Sequence, residues 1–481
     1  MKRKKYQIIL AKKFKTIMSM KYKKLILFSV GFLTLHQFFV SHAYAYIDPV
    51  TGSAALTLIA GALAAGAMTL KYYWFQIKSK ISGDRFQENE ADTIDKSDLE
   101  SGFVSEWAEL KKINRLSQDE RSIVFYAENI ASFVTFDQII YELTEKMGNQ
   151  ICYLTSAKDD PILKNKNKNI RSFYIGDSEI TKLKFFLELK AKVLVMTMPD
   201  LGTFHIKRSK VYPVHYVHIL HSVHSTHYAY RNTAFDNFDT IFCTGNYQIE
   251  EIQEREQKFN LKKKELVKIG HGTLDSLINE VQNTNIKRNT SNNKLILIAA
   301  SWGSNGLLET KCQEIVRILL ESKFNVILRL HPMALKKSNK SIQKIEKEFK
   351  DHSNFKLETN IRNKESLFLC DCMISDWSGL AIEYAFAFEK PVLFIDTPQK
   401  INNPDCEQIG SVAFEKEIRP QIGKILSLSQ LSLLPSEINQ LLLSQNKFKE
   451  EIKKIREETV FNVGNAGEQG AKYLLELKKI S

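Results

Sequence analysis

Three short runs carry residue types suited to holding or breaking a phosphate ester. Ser301-Trp302-Gly303 leads through Ser304-Asn305-Gly306 into a helical pattern. Backbone amides at such a helix start could hold an anion, aided by the helix dipole. Arg329-Leu330-His331-Pro332 closes an apolar run. Pro332 ends the strand, and a histidine beside it can bond a phosphate oxygen or assist a leaving group. Ser375-Asp376-Trp377-Ser378-Gly379 closes another run and enters a helix that carries Glu383. Hydroxyls and free amides there suit a pyrophosphate, and Glu383 is placed to reach ribose hydroxyls. Each run alone could be an ordinary turn or helix cap. Three of them in one stretch of chain point to a ligand. Lys336 and Lys337 follow His331 and could touch a phosphate, whereas Arg329 is expected to be a structural strand-end residue.

A fourth run, VYPVHYVHILHSVHSTHYAYR, places His215, His218, His221, His224 and His227 at a spacing of three. On a strand such residues alternate faces, and on an α-helix they drift around the cylinder. A three-ten helix would stack them, but such runs are rarely that long. The ladder is therefore not one metal-binding face, and no metal site is expected. His215 and His218 belong in or beside a strand. His221 falls near the strand's carboxyl end, as the candidate general base for an acceptor hydroxyl. His224 is its rival.

These residues need a scaffold, and the pattern around them supplies one. From about residue 119 short apolar runs alternate with helical periods. The runs are Ser122–Tyr126, Ile151–Leu154, Lys192–Met196, Tyr216–Leu220 and Thr240–Cys243. The pattern restarts at Leu295–Ala300 and continues through Asn325–Leu330, Phe355–Glu358, Cys372–Ser375 and Pro391–Ile395. Alternation of this kind argues for parallel sheets with helices on both faces. The expected fold class is α/β, with two doubly wound Rossmann-like domains facing each other across a cleft. The first covers 119–285 and the second 294–430, joined by the polar stretch 282–293; helices follow over 431–481. Ligands of such sheets bind outside the carboxyl ends of the strands, where the three runs lie.

The chain has 481 residues and a formal net charge of +13. That charge does not imply nucleic acid. Ten Lys or Arg lie within residues 1–24, and no acidic residue precedes Asp48. A basic block beside a hydrophobic stretch suits a membrane surface. Leu25–Ala45 is apolar and ends in Ala43-Tyr44-Ala45, so it reads either as a cleaved signal peptide or as an uncleaved helix. A second apolar stretch, Ala54–Leu70, continues into Tyr72, Tyr73 and Trp74, giving a transmembrane segment over 54–74. Residues 1–78 are thus expected to be a membrane anchor and 79–118 a charged linker with an amphipathic helix. Lys71, Lys78 and Lys80 place the body on the cytoplasmic face. The six cysteines form no CxxC pair, which suits reduced, buried thiols.

The runs LHPMALKK and MISDWSGLAIEYAFAFEKPVLFID resemble the CDP-glycerol glycerophosphotransferases of teichoic-acid synthesis. The resemblance covers most of residues 119–410. Tyr46-Ile47-Asp48-Pro49-Val50-Thr51-Gly52-Ser53 is similar to the YIDPGTGS motif of a membrane-anchored branch of that family. The resemblance implies a glycosyltransferase-B fold with the donor nucleotide on the C-terminal domain. It implies transfer of glycerol phosphate from CDP-glycerol, or another CDP-polyol such as CDP-ribitol, to a hydroxyl of a lipid-linked saccharide or polymer. CMP would be released. It matches the family's His-Pro histidine to His331, its Ser-Asp-x-Ser-Ser run to Ser375, Asp376 and Ser378, and its acidic residue to Glu383. Two positions depart: the last serine is Gly379, and the family's His-Gly-Thr-Pro run reads His221-Ser222-Val223-His224. No cofactor is required; magnesium would be compatible, but no acidic pair demands it. Two other readings remain at this level: a glycosyltransferase-B enzyme using a nucleotide sugar for cell-surface glycan synthesis, and a non-catalytic membrane scaffold.

Overall fold

The computed structural model describes residues 109–284, 293–360 and 363–480. The expected membrane segments at 25–45 and 54–74, and most of the linker, lie outside the described residues. Among the described residues no helix is long and apolar enough to cross a membrane. The described part belongs to one compact unit, Asp95–Ser481.

Two all-parallel sheets organise that unit. The first has seven strands in the order β3-β2-β1-β4-β5-β6-β7. These are β1 Ile123–Ala127, β2 Ile151–Thr155, β3 Ile170–Tyr174, β4 Val193–Met196, β5 His215–Ile219, β6 Thr240–Cys243 and β7 Glu265–Lys268. The second has six, ordered β10-β9-β8-β11-β12-β13. They are β8 Leu295–Ile298, β9 Asn325–Arg329, β10 Phe355–Glu358, β11 Cys372–Ser375, β12 Val392–Asp396 and β13 Gly423–Ser427. Central strands such as β1, β2 and β4 are buried along their whole length. That is why they read as unbroken apolar runs rather than alternating ones. Helices cover both faces of each sheet. Two apolar clusters flank the first sheet and two the second.

The order of each sheet reverses once, between β1 and β4 and between β8 and β11. At a reversal the loops leaving two neighbouring strands diverge and open a crevice. In the second sheet those loops are Ser301–Gly306, beyond β8, and Asp376–Gly379, beyond β11. In the first sheet the histidine run leaves β5, which pairs with β4.

The C-terminal helices tie the two sheets together. Leu434, Ile438 and Leu441 join the second sheet's core. The helix Gln445–Thr459 packs on the helix Gly379–Phe388, and Ala466–Ile480 returns to the first domain against Ile130–Tyr141. There Ala471, Leu474 and Leu477 complete the core under the first sheet. All six cysteines are free and buried.

Candidate active site

The cleft between the sheets holds a cavity of about 310 Å³. From the first domain it is lined by His221, Ser222, His224 and Tyr230, and from the second by Ser301, Trp302, His331, Trp377, Ser378, Gly379 and Lys400. Of the residues singled out in the sequence, the fold thus brings His221, His224, His331, Ser301, Trp302, Ser378 and Gly379 to one wall or another of one cavity. Gly303 lines an adjoining lobe. Ser375, Asp376 and Glu383 do not reach either space.

The histidine ladder resolves into a cluster around one tyrosine. His215 and His218 lie in β5. His215 meets the Thr240 hydroxyl at 2.8 Å. His218 is wholly buried, with ring centroids of Phe235 and Phe238 at 5.0 and 4.9 Å. Burial drives its proton affinity down to about 3, so it stays a neutral core ring. His221 lies two residues beyond the strand and is exposed to the cleft. Its Nδ1 is 3.2 Å from the Tyr230 hydroxyl. His224 stacks on the same tyrosine, 5.5 Å away at 27°, and lies 5.8 Å from His221. His218 meets the same ring edge-on at 6.2 Å, so three of the five rungs surround Tyr230. His227 is the second residue of the short helix Thr226–Ala229 that leads to it, and lies 3.0 Å from Ser411 O and 3.3 Å from Glu251. The spacing of three packs rings about a phenol, a use that periodicity alone does not reveal.

Burial raises the Tyr230 pKa above its usual value, so its phenol remains intact. It can accept the proton of His221 Nδ1, which leaves Nε2 unprotonated toward the cavity. Burial first, then the nearby His271, lowers the His221 pKa, with Glu383 opposing. The ring is neutral at neutral pH, as a general base must be. His224 is pushed to about 3, by burial first and then by His221. Its Nδ1 is buried without a hydrogen-bond partner. So low a proton affinity makes it the weaker base.

The loop that presents His221 is fixed from the opposite domain. Val223 is fully buried in an apolar cluster with Ala381, Ile382 and Ala385 of the helix Gly379–Phe388. The Ser225 amide donates to Glu415 at 3.1 Å, and the Ser225 hydroxyl accepts from the Phe414 amide at 2.6 Å.

On the other wall, His331 caps the helix Pro332–Lys337. Its Nδ1 accepts from the Met333 amide at 3.0 Å. That bond fixes the tautomer with hydrogen on Nε2. Burial, then Lys400 and His221, lowers its pKa to about 4. His331 is thus a neutral donor.

Asp376 has a structural task rather than a cleft one. Wholly buried, it accepts from the Ser301 amide at 2.7 Å, the Ser301 hydroxyl at 2.8 Å and the Leu307 amide at 2.9 Å. It clasps the β8 loop to the β11 loop across the sheet reversal. The Ser375 hydroxyl donates to Ala299 O at 2.6 Å and stiffens the same joint. Asp376→Ala leaves two buried amides without partners. It is expected to cost about 3 kcal/mol, seen as a lower urea midpoint. An unchanged midpoint would mean water replaces the carboxylate.

Glu383 faces His271, with Oε1 3.4 Å from Nε2. Sequence reasoning passed over His271, although Gly270-His271-Gly272-Thr273 directly follows β7. The strand itself, Glu-Leu-Val-Lys, is too polar to announce its end. Lys400 was missed as well. It follows β12 through a polar loop that carries no motif.

A β-carbon built at Gly379 would lie 2.2 Å from the Ser222 hydroxyl and 3.5 Å from its β-carbon. The two departures from the family pattern thus face each other across the cleft. Gly379→Ala is expected to raise the donor KM about fivefold by turning the Ser222 hydroxyl aside. Adding Ser222→Gly should restore it. A double variant no better than the single one would show that the two positions are uncoupled.

Among the described residues no group of three His, Cys, Asp or Glu side chains stands close enough to hold a metal ion.

A family model described as CDP-Glycerol:Poly(glycerophosphate) glycerophosphotransferase matches residues 111–400, more than half of the chain. The teichoic acid ribitol-phosphate polymerase TarL of Staphylococcus aureus is 28% identical over 152 residues, covering 29% of this chain and 26% of that relative. The chain therefore spans about a quarter of the curated relative it matches. Among solved structures, the wall teichoic acid polymerase TagF with CDPG is 13% identical at a TM-score of 0.49, covering 79% of this chain and 98% of that one. The UDP-GlcNAc 2-epimerase of Methanocaldococcus jannaschii is 12% identical at 0.43, covering 74% and 99%.

Proposed function

This chain belongs to the CDP-glycerol:poly(glycerophosphate) glycerophosphotransferase family, and from that premise we propose that it transfers a polyol phosphate from a CDP-polyol, CDP-glycerol first, to an acceptor hydroxyl. The single observation that carries the reading is the pairing of His221 and His331, one from each domain, on the walls of one cavity. In this mechanism the acceptor oxygen attacks the β-phosphorus. Its proton passes to His221 Nε2. The bond from that phosphorus to the bridging oxygen breaks, and CMP leaves with the oxygen. Charge gathering on the diphosphate is met by the Nε2–H of His331, by free amides at the start of Gly379–Phe388, and by the Lys400 ammonium. Fixed donors act strongly because they need no reorganisation.

The acceptor is proposed to be a lipid-linked saccharide or polymer. The basic block in residues 1–24 and the apolar stretches at 25–45 and 54–74 support a body held at the cytoplasmic face of the membrane. The test is CMP release from CDP-glycerol by the detergent-solubilised full chain with a lipid-linked acceptor, alongside CDP-ribitol and UDP-sugars. Turnover of a CDP-polyol supports the reading. Turnover of a UDP-sugar alone would replace it with a glycosyl transfer in the same cleft.

A further inference from the structure

Outside the cavity, the first domain leaves an apolar face uncovered. It is built on the helix Glu179–Glu188, whose Thr181, Lys182, Phe185 and Phe186 are buried. Ile180, Leu183, Lys184 and Leu187 follow at i, i+3, i+4 and i+7, so they share the opposite side. Leu183 and Leu187 are half-buried, and Ile180 is 63% exposed. The loop beyond β4 adds Phe204, 61% exposed, and Val211, 52% exposed. Two points of that loop lie against the helix. The Lys210 amide donates to Leu187 O at 3.0 Å, and His205 is within electrostatic range of Lys182, Glu179 and Asp177. Single exposed apolar side chains are ordinary, but three beside a half-buried stripe make a patch. Phe204 also takes φ +40°, a conformation unfavourable to a bulky residue.

The patch has a basic rim. Residues 177–192 and 203–211 carry seven Lys or Arg against three Asp or Glu, and one of the three, Asp177, is taken by Lys182. Lys190 and Lys210 are exposed. The chain also enters the body at this face. Residues 109–115 are helical, and Leu110 and Ile113 line one small cavity with Phe185, Glu188 and Lys190. The Gln118 side-chain amide then donates to the Tyr212 hydroxyl at 2.8 Å. The basic block and both apolar stretches precede that point in the sequence. At its other end the face reaches the edge of the sheet that carries the chemistry. The Phe204 loop leaves the carboxyl end of β4, and the His221 loop leaves the carboxyl end of β5, its neighbour.

We infer that this face rests on an anionic lipid surface, with Ile180, Phe204 and Val211 at the boundary between headgroups and acyl chains and Lys190 and Lys210 against the headgroups. Apolar side chains beside lysines are the makeup of a helix that lies in a lipid interface. A second copy docked through the same face would set the same cations against one another. Docking on lipid instead matches both the apolar patch and its charge. It sets the sheet edge that bears His221 beside the surface in which a lipid-linked acceptor is held. The inference rests on the membrane-held reading and adds the surface that orients the body.

The test reconstitutes the full chain in nanodiscs of phosphatidylcholine with and without phosphatidylglycerol. All six native cysteines are buried, so a nitroxide on Ile180→Cys, Phe204→Cys or Val211→Cys reports on one site. Lys347→Cys, exposed in the second domain, is the control. Collision with oxygen, which concentrates in lipid, is compared with collision with a water-soluble nickel chelate. With phosphatidylglycerol present the three labels are expected to favour oxygen, and the control nickel. Lys190→Ala and Lys210→Ala should each lower the ratio of docked to free label about fivefold, and omission of phosphatidylglycerol should free the labels further. Labels that favour nickel on a chain that stays with the disc would overturn the inference and leave the anchor standing. Labels shielded from both reagents would assign the face to protein, a second copy included, and overturn it equally. A chain that leaves the disc without detergent would instead refute the membrane-held reading itself.

Discussion

His221→Ala is expected to lower kcat for CMP release by 10²- to 10⁴-fold, the usual span for loss of a positioned general base. Donor KM should change little, because in the proposed mechanism the ring meets the acceptor hydroxyl and not the nucleotide. The pH profile gives a second readout. A base must be unprotonated, and the His221 pKa lies below its usual 6.5, chiefly through burial. The reactive form is full at pH 7 and is lost as pH falls through that lowered value. The acid limb of kcat therefore lies below pH 6.5, and it should vanish from the residual rate of the variant. His224→Ala is expected to cost far less. A ring held near 3 has too little affinity for the proton it would remove. If His224→Ala instead abolished the limb while His221→Ala kept it, the assignment would be reversed.

The elements that frame this chemistry were readable to different depths. The alternation of apolar runs and helical periods located β1, β2, β4, β5, β6, β8, β9, β10, β11 and β12 to within a residue or two; all but the edge strand β10 lie inside their sheets, and an inner strand has little choice of composition. It missed β3, β7 and β13. These are Ile-Arg-Ser-Phe-Tyr, Glu-Leu-Val-Lys and Gly-Lys-Ile-Leu-Ser, and each is an edge strand, partly wet and partly charged. In the site, strand-end position was enough to find His331 and the Ser378-Gly379 turn. It could not separate a residue that faces the cleft from one that builds it. Asp376 and Ser378 are two apart on the same turn, yet the first is wholly buried and the second lines the cavity. That difference depends on where β8 ends, which is a fact of the sheet order. The pairing of Ser222 with Gly379, and of His271 with Glu383, joins residues 157 and 112 positions apart in sequence, and depends on how the two domains meet. No local pattern carries such information.

His331 has two nitrogens with two tasks, and substitutions can take them apart. Nδ1 caps a helix through the Met333 amide; in the proposed mechanism Nε2–H meets the diphosphate. His331→Ala removes both. It should cost about 1 kcal/mol of stability for the cap and 10²- to 10³-fold in kcat for the lost donor. His331→Asn puts its amide oxygen near the Nδ1 position. It should recover the stability and none of the rate, since the side chain stops short of the phosphate. His331→Gln does the reverse: its terminal NH₂ reaches toward the Nε2 position, so part of the rate should return while the cap stays lost. Lysine would not mimic this group, because a ring with its pKa near 4 works as a neutral donor at neutral pH. Its contribution should accordingly be flat with pH between about 5 and 8. Single-turnover CMP release and urea midpoints, measured on the three variants, decide the matter. An asparagine enzyme as fast as the unaltered one would reduce His331 to a helix cap. The diphosphate would then depend on Lys400 and the amides of Gly379–Phe388 alone.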